Sequence, residues 1–581
     1  MNTTATASVN TMHIPQALNE KALNEKPLNE QALNPQGYQS ILEVFDRAFR
    51  QFSQNTAFSC MGHSLSYARL DKLSRDFAAY LQQHTGLVPG DRIAVQLPNI
   101  LQYPVVVLGA LRAGLVVVNT NPLYTPRELQ HQFCDAGVKA LVVLDHLAAE
   151  AEKVVEKTDI QQLIITRIAD LHGPIKRPLI NAVAKHLKKM IPAYDLPQAQ
   201  SLRSVLKAGA RSTYTPVTAQ PIDLAVLQYT GGTTGVAKGA MLTHANLVSN
   251  MLQLQASLGE DMKDGEEVCI APLPLYHVYA FTLHLLLISS KGGHSVLIPN
   301  PRDQPGLLNT LKKQRFSMFV GLNTLFVSLC QNHQFKRLDF SALKLTASGG
   351  MALTRDAAER WEKVTGCSVC EGYGLTECSP VVSMNPLSAI QLGSIGLPVP
   401  GTEVKTIDAK GAEVNRGEPG ELCVRGPQVM AGYWQRPEAT EEMIDKDGWL
   451  KTGDIAVIQE DGYIRIVDRE KDMIVVSGFN VYPNEIEDIV VTHPDIVECA
   501  VVGVPNEKTG EAVKVFAVAS NPALNISDLR SYCREMLTPY KLPVSLELRA
   551  ELPKSNVGKV LRRELRDELR EELPEEAREP S

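Results

Sequence analysis

Tyr229-Thr230-Gly231-Gly232-Thr233-Thr234-Gly235-Val236-Ala237-Lys238-Gly239 decides how the chain is read. An apolar run, Leu224 to Leu227, leads into it as a strand, and a helix is expected to start at Thr243. Glycines let successive backbone N–H groups converge on an anion, the threonines add hydroxyl donors and Lys238 adds charge. In physical terms this is a phosphate loop. It departs from the common G-x-x-x-x-G-K-[ST] pattern, because Lys238 is followed by glycine and stands three residues after Gly235. An ordinary Gly/Thr turn is the bland alternative, and the density of small polar residues argues against it.

The flanking sequence supplies the sheet such a loop needs. Arg92 to Leu97 and Lys139 to Leu144 read as strands, Asn99 to Ala113 as a helix, and Leu115 to Val118 as another apolar strand. Thr125-Pro126-Arg127-Glu128 has the form of a capping box with proline at the first helical position. Short buried strands alternating with helices imply an α/β fold with a parallel sheet covered on both faces, which binds ligands at the carboxyl ends of its strands. From about Gly393 glycine and proline become frequent and strands short, as in Glu421 to Val424 and Gly462 to Val467. Beyond Asp468 a compact α+β unit is expected, with strands Val497 to Val502 and Ala512 to Val518 and a helix Ile526 to Leu537. The charged tail Val560 to Glu576 reads as a solvated helix.

Composition narrows the function. The 581 residues carry 58 Lys plus Arg against 65 Asp plus Glu, a net charge of −7 that gives no support for general nucleic-acid binding. Ten scattered cysteines form no disulfide framework, and the lone pair Cys367 and Cys370 lacks the second ligand pair a zinc site needs. The longest apolar stretch, Tyr103 to Val118, is interrupted by Arg112, and the N-terminus has no basic-then-apolar signal, so a cytoplasmic protein is expected. Residues 1–37 carry a five-residue repeat (Ala17-Leu18-Asn19-Glu20, then Ala22-Leu23-Asn24-Glu25) and read as a flexible low-complexity extension.

Five further stretches follow the loop in order: Tyr373-Gly374-Leu375-Thr376-Glu377, Gly448 to Asp454, Asp468 to Asp472, Ser477-Gly478-Phe479-Asn480, and Pro553 to Lys559. Together they resemble the signatures of the adenylate-forming superfamily of acyl-CoA synthetases, luciferases and peptide-synthetase adenylation domains, over roughly residues 40 to 575. Within it, Leu273-Pro274-Leu275-Tyr276-His277, Gly321 to Phe326 and Gly478 to Glu485 are most similar to bacterial long-chain fatty acid–CoA ligases.

The resemblance implies a large N-terminal domain (38–467) of two sheet-helix layered subdomains with a small β-rich part at about 393–467. A hinge at 468–472 and a small mobile α+β C-terminal domain (473–581) would follow. It implies ATP, Mg²⁺ and coenzyme A: a fatty acid would attack the α-phosphate of ATP to give acyl-AMP and pyrophosphate, and coenzyme A would then displace AMP. The implied catalytic residues are Lys559, Thr230, Glu377 and His277. Thr230, Gly231, Gly232, Thr233, Thr234, Gly235 and Lys238 would hold the β- and γ-phosphates, Thr376 the α-phosphate, and Glu377 the metal. Gly349, Gly350, Tyr373 and Gly374 would flank adenine, and Asp454 and Arg469 would bind ribose. Lys471 would mark the hinge and Gly478 would lie along the thiol arm of coenzyme A. His277 would orient the carboxylate rather than act as a general base, and a satisfied core histidine is an equal alternative. Ser555 stands where many members have threonine.

The runs Val278 to Ile288 and Val320 to Phe326 are the candidate acyl-tunnel walls, though such runs are usually plain core. Other readings are a medium-chain or aryl acid–CoA ligase, a fatty acyl-AMP ligase loading a carrier protein, and a nucleotide-binding regulator without turnover. The substrate implies peripheral contact with the inner face of the cytoplasmic membrane; whether the chain forms a homodimer stays open.

Overall fold

The computed structural model describes Asn34 and residues 36–230, 237–477, 479–506, 508–554 and 560–571. The N-terminal repeat, most of the glycine-rich loop, Gly478, Ser555 and Lys559 lie outside the described residues.

Two large sheets form the body. In the first, Gln200–Ser201, Gln162–Thr166, Val138–Leu144, Arg92–Gln96, Val116–Asn119 and Leu224–Thr230 run parallel in that order, and Lys238–Thr243 closes the edge antiparallel. In the second, Val369–Gly374, Leu345–Ser348, Met318–Gly321, Val268–Ala271, His294–Leu297 and Thr56–Cys60 run parallel, extended antiparallel by Val381–Met384 and Leu397–Pro398 at one edge and His63–Ser66 at the other. The helices Tyr67–His84, Gln102–Arg112 and His244–Leu258 share one apolar cluster with strands of both sheets. Separate clusters cover the far faces: Pro126–Ala136 and Ala148–Val155 on the first sheet, and Gln304–Leu311, Asn323–Gln331 and Arg355–Thr365 on the second. Burial on both faces explains why strands such as Val-Lys-Ala-Leu-Val-Val-Leu (Val138–Leu144) carry almost no polar alternation.

Local chemistry sets the helix ends. Thr125 and Glu128 form the expected reciprocal capping box, and Gly137 ends that helix in the left-handed region at φ 57°. Gln102–Arg112 is buried along its length. Gly109 makes this packing feasible, since a Cβ there would fall 2.7 Å from the Phe77 ring. Arg112 is buried with it and is satisfied by Asp71 Oδ1 at 2.6 Å and Asp46 Oδ1 at 3.3 Å.

The helix expected to start at Thr243 does so: Thr243 caps His244–Leu258 through Asn246. Ahead of it the structure adds a strand, Lys238–Thr243, paired antiparallel with Leu224–Thr230. The run Lys-Gly-Ala-Met-Leu-Thr has no clear period, so its strand character comes from pairing with an already buried neighbour.

Beyond the second sheet, Glu403–Ile407, Pro419–Arg425, Leu450–Ile458 and Ile464–Arg469 make a four-stranded antiparallel sheet. After the single turn Glu470–Asp472 comes a last sheet, in which Ile496–Asn506 and Gly510–Ala519 form a long hairpin. The helix expected to reach Leu537 ends earlier, as Ile526–Cys533 capped by Asn525. Cys367, just before the strand Val369–Gly374, and Cys370, within it, are free and buried, as a core pair should be.

The charged tail departs from the expected solvated helix. In Arg562–Glu571, Leu565 is fully buried against Ala500, Val502 and Phe516. Arg562 bonds Glu487 at 2.6 Å, Asp468 at 3.2 Å and Asp472 at 3.3 Å, and Arg566 meets Asp472 at 2.7 Å. Removing one partner of such a buried cluster strands the others. Arg562→Met should therefore destabilise the C-terminal unit by about 3 kcal/mol, giving an early transition in a denaturant titration; unfolding coincident with the parent would count against the cluster.

Candidate active site

Thr230 is the last residue of its strand, with Lys238 as its Cα partner across the hairpin. The hairpin is fastened to residues 431–436: Met241 N–H donates to Gly432 O at 2.9 Å, Ala431 N–H to Met241 O at 3.0 Å and Trp434 N–H to Gly239 O at 2.8 Å. Tyr229 Oη donates to Asp135 at 2.6 Å, and Arg436 holds the other oxygen of that carboxylate at 2.6 Å. This fastening sets Lys238 Nζ over the Tyr433 ring, 5.2 Å from its centroid. Tyr433 Oη in turn donates to Glu377 Oε1 at 2.7 Å.

Glu377 lies in the turn Thr376–Cys378, which continues the strand Val369–Gly374, and its main-chain oxygen accepts from Met430 N–H at 2.7 Å. Burial pushes its carboxyl up; the Tyr433 hydrogen bond and, more weakly, Arg469 pull the other way. It has no salt-bridge partner among the described residues, so a cation brought with a phosphate would satisfy it.

Tyr373 lies on the strand that leads to this turn, and its hydroxyl donates to Asp454 Oδ2 at 2.5 Å. Asp454 sits on Leu450–Ile458, opposite Arg469 in register, with Arg469 Nε 3.4 Å from Oδ1. The second large sheet and the four-stranded sheet thus meet at one carboxylate, next to the turn Glu470–Asp472. Lys471, in that turn, is pulled down to about 8, first by desolvation and then by the charge of Arg469.

The Ser348-Gly349-Gly350 turn lies beside this junction. A Cβ on Gly349 would be 3.2 Å from Gly372 O and 3.3 Å from the Tyr279 ring, while Gly350 has φ 84°. Ser348 Oγ is buried with no partner among the described residues. A flat heterocycle could lie against so flush a surface.

His277 ends the segment 271–277 and starts the short helix Val278–Ala280, its Nδ1 accepting from Tyr279 N–H at 3.3 Å. Burial lowers its pKa to about 4, which leaves the ring neutral and only weakly basic. The following turns, Phe281–Ile288, are fully buried core. Ser477, with φ 52°, and the exposed Phe479, stacked on Tyr540 at 4.7 Å, flank Gly478.

Several contributors were not anticipated from sequence. Asn99 Nδ2 donates to Ala271 O at 3.0 Å and Leu273 O at 2.7 Å, and its Oδ1 accepts from Leu275 N–H at 2.8 Å. Tyr103 Oη lies 2.8 Å from Leu275 O and 2.6 Å from Asn119 Oδ1; Asn119 continues to Gln228, which donates to Tyr276 O at 3.1 Å. This buried amide chain, rooted in the first sheet, holds the segment that presents His277. Asn99→Ala leaves Leu273 O and Leu275 N–H unpaired, while Ala271 O keeps the Ile298 N–H at 3.1 Å. It should cost about 2–4 kcal/mol in stability, read by thermal unfolding, with lower activity in the fraction that stays folded.

Glu371, just before Gly372 and Tyr373, is also buried. Burial raises its pKa to about 7, Asp488 adds to the rise, and the Leu353 N–H at 3.0 Å opposes it. In the unfolded chain it ionises near 4.5, so the folded state loses stability as pH rises from about 4.5 to about 7 and the loss is complete above that. Glu371→Gln should gain on the parent by up to ~3 kcal/mol above pH 7, the gap closing as pH falls; melting temperatures across pH 5 to 8.5 check this, and a pH-independent gap would refute it.

A glycine-rich segment whose described ends are fastened at a sheet edge, a buried carboxylate with no salt-bridge partner among the described residues and a carboxylate–guanidinium pair beside the turn Glu470–Asp472 suit an enzyme that handles a nucleotide polyphosphate. Residues 45–434 match the family described as AMP-binding enzyme, and 485–559 match the AMP-binding enzyme C-terminal domain. The chain belongs to this AMP-binding enzyme family. It is 54% identical over 528 residues to a long-chain-fatty-acid–CoA ligase of Escherichia coli O157:H7, covering 91% of this chain and 94% of that protein. It is 38% identical to the Bacillus subtilis (strain 168) protein of the same name, over 90% and 93% of the two chains, and 32% identical to a feruloyl-CoA synthase of Amycolatopsis sp, over 89% and 96%. ATP-bound MatB from Rhodopseudomonas palustris superposes with a TM-score of 0.75 at 29% identity, covering 91% of this chain and 98% of that one. The anthranilate CoA ligase AuaEII shares the fold at 22% identity with a TM-score of 0.80, covering 91% and 97%.

Proposed function

We propose that the chain is an ATP-dependent long-chain-fatty-acid–CoA ligase working in two steps, acyl-AMP formation followed by transfer of the acyl group to coenzyme A. The observation that carries this reading is the meeting of Tyr373, Asp454 and Arg469 at one junction, with Glu377 close enough for both charged groups to influence its ionisation. The 54% identity to a ligase of that name supports the choice of acid, against 32% to one named for an aryl acid.

Attack by a carboxylate on a polyphosphate is opposed by charge, so the protein's task is to neutralise and align. In this reading Asp454 accepts bonds from the ribose hydroxyls, with Arg469 at its other side. Tyr373, Gly374, Gly349 and Gly350 enclose adenine, Thr376 meets the α-phosphate, and Thr230, Lys238 and the loop 231–235 hold the outer phosphates. The donor set fits Mg²⁺, which binds through one or two carboxylates plus substrate phosphates: Glu377 would hold it, and it would neutralise phosphate charge. Neutral His277 orients the fatty acid carboxylate. Lys559 supplies a cation between that carboxylate and the α-phosphate.

For the second step the C-terminal unit turns about residues 468–472, withdrawing Lys559 and bringing Gly478 to the thiol arm of coenzyme A. Long acyl chains partition into bilayers, which supports peripheral contact with the cytoplasmic membrane. Among the described residues no helix is long and apolar enough to cross one.

The test is coenzyme A–dependent AMP production over fatty acids of graded length, with benzoate as the aryl control. A maximum at long chains is expected; a preference for benzoate or short acids would overturn the substrate, and acyl-AMP without thioester would overturn the acceptor. Lys559→Ala should lower acyl-AMP formation by at least ~100-fold while ATP binding is retained, and undiminished turnover would refute its role.

A further inference from the structure

Between Asp170 and Asp195 the chain carries Lys176, Arg177, Lys185, Lys188 and Lys189 and no Asp or Glu, in a protein whose net charge is −7. The segment folds as the helix Lys176–Ala182, continued by Val183–Leu187, and neither piece buries a single residue. Its apolar side chains point outward: Ile175 is 83% exposed, Leu179 64% and Leu187 78%, with Met190 also exposed. The positions 175, 179, 183 and 187 recur every four residues, so these side chains share one face. Val183 is half-buried, while Ile175, Leu179 and Leu187 of that stripe stay exposed and gain little from the protein's own core.

The helix is held from beneath by polar contacts. Asn181 Oδ1 accepts from Ala169 N–H at 3.1 Å, its Nδ2 donates to Asp170 at 3.4 Å, and Lys176 Nζ donates to Gly62 O at 3.2 Å. Asp170 is buried beneath the helix and makes no salt bridge with these cations among the described residues. None of the five cations has a salt bridge among the described residues.

We infer that residues 174–190 are an interfacial docking element for an anionic phospholipid surface. Two features select this partner. Four further cations, Arg177, Lys185, Lys188 and Lys189, match the negative charge of a bilayer face, and an interleaved apolar stripe matches the boundary between headgroups and acyl chains. An acidic protein would use the first feature and leave the second unexplained. The inference gives a location to the membrane contact proposed above. It is independent of which acid is activated, because lipid binding and ligase turnover are read separately.

The test is co-sedimentation of the full chain with vesicles of phosphatidylcholine alone and of phosphatidylcholine with about 30 mol % phosphatidylglycerol. The parent should sediment with the anionic vesicles and weakly with the neutral ones. The K185E/K188E/K189E variant should bind anionic vesicles roughly 100-fold more weakly. The Leu179→Ser/Leu187→Ser variant keeps the charge and should detach when ionic strength is raised to about 0.5 M, where charges are screened within a few ångströms, while the parent is partly retained. Unchanged melting temperature and coenzyme A–dependent AMP formation would show that both variants are folded. A parent that stays in the supernatant with anionic vesicles, as it would if the helix served an acidic protein, overturns the proposal. So does a charge-reversed, folded variant that sediments undiminished.

Discussion

Asp454 is the constraint around which the candidate site is arranged. Its carboxylate takes a proton donor from Tyr373, on the last parallel strand of the second large sheet, and faces Arg469, at the end of the four-stranded sheet. Two residues after Arg469, Lys471 carries a pKa lowered by desolvation and by that guanidinium. Two more carboxylates, Asp468 and Asp472, bracket the turn and are tied to Arg562. Arg562 stands three residues after Lys559 in sequence. One charged junction therefore connects the ribose side of the proposed nucleotide site, the turn proposed as hinge and the segment that leads to the proposed catalytic lysine.

A second constraint operates on the acid side. The segment 271–277 has no regular ladder of its own beyond Ala271, and its carbonyls would be costly to bury unpaired. Asn99, Tyr103 and Gln228, rooted in the first sheet and its connections, satisfy them. The two large sheets are thus joined by apolar packing through shared helices and by a polar chain at the proposed acid end. The polar chain fixes direction, because an amide bonds only where its partners are placed.

Much of this was legible in the sequence because it depends on near neighbours. The capping box at Thr125 and Glu128, the strand Val138–Leu144 and the buried helix beginning near Gln102 are local patterns, and each stands within a few residues of its expected position. The ordered motifs likewise located Tyr373, Glu377, Asp454 and Arg469, which the fold brings together. What escaped depends on distant partners. The strand Lys238–Thr243 takes its conformation from Leu224–Thr230, Asn99 acts on carbonyls more than 170 positions away, and Tyr433 meets Glu377 across 56. The tail helix reads as solvated from its charges, whereas Leu565 and Leu569 seat it on the last sheet.

The central claim is that Asp454 reads the ribose of the nucleotide. It is tested most directly by a cycle that crosses ATP and 2′,3′-dideoxy-ATP with the parent and Asp454→Ala, measuring kcat/KM for acyl-AMP formation in each combination. The account predicts that the parent discriminates against the dideoxy nucleotide by roughly 30-fold and that Asp454→Ala, though weaker with ATP, loses that discrimination. A variant that still prefers ATP by the parent's factor would contradict it.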